Sequence, residues 1–158
     1  MTHSERRWFG AVPWDSVVTL NKALCQAQKM DPLNNAKGFE SARSLWEKTV
    51  AKNLTLEQAI EICHECHEQA PFTFNNGNTF AAIGRTLVEA SLQIMPPVEA
   101  QILRTTIAHY IVGLISEREL RQVLRHFEPL LSAALAAGHD AVPPPPLPAW
   151  PQDRRAPA

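Results

Sequence analysis

The chain has almost no net charge, no long apolar run and few cysteines, and each shortage excludes something. A formal net charge of −1 gives no overall attraction to nucleic acid or anionic membrane. Arg118, Arg121 and Arg125 form the tidiest basic cluster, and nucleic acid is not an expected partner. No stretch approaches the ~18 uninterrupted apolar residues that a membrane span needs. The N-terminal MTHSERRWFGAVPWDS has no apolar segment behind its charges, so no secretory signal is read there and a cytoplasmic location is expected. Three cysteines, Cys25, Cys63 and Cys66, are an odd set and should stay reduced in that compartment, which argues against a disulfide framework. Alternating β-branched runs are missing, so no strand is predicted. Neither a Gly-rich phosphate loop of the Walker type nor a GxSxG nucleophile elbow occurs.

What is present is helical periodicity. With 158 residues, 45% of them hydrophobic, one domain can bury a core without metal or disulfide staples. The fold class expected is all-α: a compact bundle of about six helices around a central apolar helix. The helical domain spans 13–139, between a flexible N-terminal arm at 1–12 and a disordered Pro-rich tail at 140–158. Helices are read over 14–29, 39–52, 55–70, 79–94, 98–115 and from 116 onward, the last kinked or split near Phe127 by Pro129. Thr55-Leu56-Glu57-Gln58 and Ser116-Glu117-Arg118-Glu119 are capping boxes that fix two of the starts. Residues 98–115 are apolar nearly all round, which puts this helix in the middle, with Thr105 and His109 as internal polar groups. Gly84 within the fourth helix marks a close helix contact.

Reactive chemistry concentrates in Leu54–Phe80. Cys63-His64-Glu65-Cys66-His67 fits the CxxCH pattern of covalent haem attachment. It also offers nitrogen and sulfur ligands for zinc: Cys63, Cys66 and His67 on one helix, with His109 to complete the set. The bland reading has both cysteines and His67 facing the core, His64 solvated, and Glu57, Glu61, Glu65 and Glu68 forming a wet face.

The loop that follows invites a comparison. Pro71-Phe72, Asn76-Gly77-Asn78 and Gly84-Arg85, set between two helices, loosely resemble the HPFxxGNGRxxR loop of the Fic family of nucleotidyl transferases. Ala70 stands where that family has its catalytic histidine, Thr79 replaces a glycine and the first arginine is missing. The general acid–base group is therefore absent, and the chain is not assigned to the family. Free amides at the start of a helix nevertheless suit an anion. Asn75, Asn76, Gly77, Asn78 and Thr79, assisted by Arg85, are accordingly a candidate ligand site.

These readings lead to two functional expectations. The first is a non-enzymatic protein-interaction (adaptor or accessory) domain without a cofactor, a homo-oligomer being possible, with contacts through the polyproline segment 143–151. The second is a zinc- or haem-binding sensor or small enzyme built on the Cys63–His67 segment.

Overall fold

The computed structural model describes residues 5–138. Among them the fold is all-α, with seven helices: α1 (Trp14–Ala27), α2 (Ala36–Thr49), α3 (Leu56–Glu68), α4 (Asn76–Leu92), α5 (Pro97–Ile111), α6 (Glu117–His126) and α7 (Glu128–Gly138). The described residues contain no strand, only isolated bridges Arg6–Leu54 and Asn34–Phe72. The seventh helix arises where Pro129 follows a break at Phe127, whose φ and ψ are −96° and 7°. In the first turn of α7 the missing proline N–H costs nothing. The expected tail at 140–158 and its contact segment 143–151 lie outside the described residues.

Both capping boxes form as the sequence dictates, Thr55 with Gln58 and Ser116 with Glu119. Helix ends are set by left-handed residues. Gly113 (φ 81°) stops α5 four residues before the expected end. Its amide donates to the Tyr110 carbonyl at 3.0 Å and the Leu114 amide to that of His109 at 2.8 Å, the paired bonds of a Schellman cap. Ala70 (φ 48°) ends α3 in the same conformation. There Pro71 has no N–H to give, so only the Ala70 amide reaches back, to the His67 carbonyl at 3.0 Å.

The centre belongs to α4, which packs on α1, α3, α5 and α7, and not to the residues of α5. Helix α5 buries Leu103, Ile107 and Ile111 but leaves Val98 and Ile102 in solvent. Thr105 and His109, expected inside, are exposed, because the polar positions fall on that outer side. At Gly84 a Cβ would collide with Ile111 Cδ1, so α4 and α5 do approach closely there.

The N-terminal arm packs through its two aromatic rings, Trp8 and Phe9. Residues 5–12 are pinned to the body. Arg6 and Leu54 exchange backbone hydrogen bonds of 3.0 and 2.8 Å. Trp8 donates its indole N–H to the Leu54 carbonyl at 2.9 Å. Phe9 is fully buried against Trp46, ring centroids 4.3 Å apart, and the Trp46 indole donates to the Val12 carbonyl at 2.8 Å. Burying the Trp8 and Phe9 rings, with the Trp8 indole N–H satisfied, overcomes the entropy of ordering a short segment. Trp14, Phe39, Phe72 and Phe80 extend this aromatic cluster beneath the α3–α4 loop.

Candidate metal centre

Helix α3 carries two chemistries on adjacent faces. Cys63 and Cys66 point into the core and are fully buried. Burial pushes the Cys63 thiol well up and the Cys66 thiol to about 12, so both stay protonated at neutral pH and neither is a ready metal ligand. A porphyrin bonded to these sulfurs would require the helix to unpack from the core. His109 stands exposed on α5. Cys63, Cys66, His67 and His109 therefore do not form the expected ligand set.

The next face does converge. His64, His67 and Glu68 sit at i, i+3 and i+4 in the last turn of α3, so one side of the helix presents all three. Their ligand atoms all lie within 4.8 Å of one another. Glu68 Oε1 is 3.9 Å from His64 Nε2 and 3.8 Å from His67 Nδ1. Those separations are too long for hydrogen bonds. Two ligands sharing a tetrahedral zinc stand roughly 3.4 Å apart. The Glu68 side chain, 60% exposed, is free to shorten its own two distances, and the separation of the two imidazoles must close through their own rotation.

The end of α5 orients this group. His64 Nδ1 is 2.9 Å from the Ile111 carbonyl, one of the last carbonyls of a helix, which have no intrahelical partner. A carbonyl only accepts, so Nδ1 carries a proton and Nε2 is the nitrogen turned toward Glu68. This backbone contact behind the imidazole is the usual way a metal-binding histidine has its tautomer fixed. The Tyr110 ring lies beside His64 at 5.0 Å and its hydroxyl donates to Glu61, holding the α3–α5 seam together.

His67 is prepared differently. Its Nδ1 is buried and has no hydrogen-bond partner. Burial lowers its pKa, with Glu68 opposing and His64 adding to the drop, so the ring is neutral near pH 7 with a lone pair available. Its Nε2 side faces the first turn of α4, where a Cβ on Gly77 would lie 3.8 Å away and 3.2 Å from Val112 Cγ1. The ends of α3 and α5 and the start of α4 thus meet around the two imidazoles.

At the start of α4, where an anion site is expected, the asparagine side chains are engaged within the loop. The helix begins at Asn76, with Asn75 left-handed at φ 63°, so the asparagine turn is wound into the helix instead of preceding it. The Asn76 amide clasps Phe72, donating to its carbonyl at 2.7 Å and accepting from its N–H at 3.0 Å. Asn78 donates to Asn75 at 3.0 Å, and Asn75 to Cys25 Sγ at 3.5 Å. Thr79 is buried and accepts from Asn21 at 3.2 Å. Arg85 is exposed and stands about 13 Å along the helix axis from Asn76. Asn75, Asn76, Asn78 and Thr79 build the loop, while the helix start has no side-chain cap and Arg85 stays exposed.

His64 and Glu68 lie outside the ligand set expected from the sequence, and Glu68 is exposed as its place on the wet acidic face implies. Their signal was the spacing itself: a search for His and Glu at i, i+3 and i+4 finds 64, 67 and 68. Comparison of the chain with protein-family models, with curated proteins and with solved structures finds no match.

Proposed function

We propose that this helical domain binds a divalent transition metal ion, zinc fitting best, through His64 Nε2, His67 Nδ1 and a Glu68 carboxylate oxygen. The observation that carries the reading is the placement of two imidazoles and one carboxylate on one helix turn, one imidazole held from behind by the Ile111 carbonyl. Two histidines with one glutamate are a known zinc ligand set, and imidazole suits zinc better than it suits calcium or magnesium. A binding role is preferred to a catalytic one, because the nearby thiols are buried and protonated.

The test is equilibrium dialysis of the metal-free chain against zinc, with the bound ion counted by elemental analysis. One ion per chain is expected. His64→Ala and Glu68→Gln should each weaken binding at least tenfold, while Cys63→Ala with Cys66→Ala leaves it intact. Binding that survives the first two changes, or vanishes with the cysteines, refutes the assignment.

One observation favours a role in protein contact as a second reading. Val98 and Ile102 are 69% and 41% exposed and border a hollow of about 490 Å³ on the outer side of α5. Apolar surface of that kind suits a partner. Val98→Asp should abolish pull-down of partners captured by the wild-type chain, and unchanged capture would refute it.

A further inference from the structure

The metal reading leaves the coordination shell one ligand short. Tetrahedral structural zinc takes four ligands, and this chain offers three within five consecutive residues. Ligands so close in sequence cover one side of an ion only. The other side opens past Glu68, whose side chain is 60% exposed. The carboxylate itself is half used: Oε1 is the oxygen nearest both imidazoles, which leaves Oε2 as a free donor.

We propose, on the basis of that reading, that a second copy of this chain completes the shell, giving a zinc-bridged homodimer. Across a twofold axis each Glu68 places Oε1 on its own ion and Oε2 on the ion of its partner. Every zinc then has two imidazole nitrogens, one oxygen of its own chain and one from the other copy. Such an interface is self-complementary: the group that is missing from one copy is the group left over on the other. The surface beside the ligands is also suited to closure. A Cβ at Gly113 would lie 3.8 Å from Glu68 Oε1, and the next residue, Leu114, is 70% exposed. Joining the two copies at Glu68 brings the two leucines together and removes apolar surface from water.

Sedimentation velocity of the full-length chain, metal-free and with added zinc, tests the proposal, with bound zinc counted in the same samples. The expected result is a monomer without metal and a species of twice the mass with zinc, one ion per chain, reversed by chelator. Glu68→Ala should stay monomeric at every zinc concentration. Its position is exposed, and an unchanged circular dichroism spectrum confirms that it folds. Leu114→Asp should keep one zinc per chain while needing at least tenfold more protein to dimerise. A chain that binds one zinc and stays monomeric overturns the bridge but leaves the metal site standing, the fourth position then being water. A chain that binds no zinc overturns both. A dimer that forms equally without metal, or in Glu68→Ala, overturns the bridge.

Discussion

Substituting Gly38 with alanine separates a backbone constraint from an ordinary packing one. Gly38 lies in the first turn of α2, against the turn that ends α3. A Cβ there would overlap the Gln69 carbonyl oxygen and stand 2.6 Å from the Ala70 carbonyl oxygen and 2.9 Å from its carbon. None of these atoms can rotate away, so α2 must move off the turn. Overpacking of a core costs about 1–3 kcal/mol even when side chains can adjust. With backbone in the way the cost should be about 3 kcal/mol or more, against a gain of at most about 1 kcal/mol from helix propensity. Gly84→Ala is the internal control. Its Cβ also collides, but with Ile111 Cδ1, the far end of a flexible side chain, so the net change should be about 0–2 kcal/mol. Urea unfolding followed by circular dichroism reads both. With an m-value of about 1.5 kcal/mol/M, a net loss of about 2 kcal/mol or more lowers the Gly38→Ala midpoint by roughly 1.3 M or more. If Gly38→Ala is no more destabilising than Gly84→Ala, the close approach of α2 to the Gln69–Ala70 turn is wrong.

Two further predictions use the same measurement. Ala70 is held at φ 48°, which costs an L-residue about 1–2 kcal/mol. Glycine removes that strain but adds unfolded-chain entropy, so Ala70→Gly should stabilise by about 0.5–1 kcal/mol; destabilisation would contradict the left-handed cap. The buried thiols give a pH signature. Cys66 moves from 9.0 to about 12, so above pH 9 the unfolded chain releases a proton that the folded chain keeps. The folded state then binds more protons, and stability falls as pH rises. From Cys66 alone the loss should reach about 1.4 kcal/mol by pH ~10, and Cys63 adds to it. Cys63→Ala with Cys66→Ala should flatten this part of the profile, and an unchanged slope would show that the thiols are not buried.

Local signals were legible where a few neighbouring residues settle the outcome. Capping needs only a hydroxyl and a Gln or Glu three residues on, so Thr55 and Ser116 marked their helix starts correctly. Pro129 split the last helical stretch because a ring without an N–H acts on its own turn. The inward face of α3 followed from period alone, and Cys63 and Cys66 are buried as that period requires. The sequence also contained the spacing of 64, 67 and 68, though nothing in it singled that face out.

The tertiary structure decided the rest, because what mattered lay far along the chain. Whether His64 is solvated or oriented by a backbone contact depends on the Ile111 carbonyl, and no local pattern ties position 64 to position 111. Whether Trp8 and Phe9 dangle or pack depends on Leu54 and Trp46. Which apolar helix is central depends on how many neighbours close around it, and α5 is hydrophobic enough to suggest the centre while its outer side stays wet. The sequence by itself determined a helical chain with one chemically dense helix. Only packing set its two faces apart, because burial keeps the thiols protonated on one side and a helix end holds an imidazole on the other.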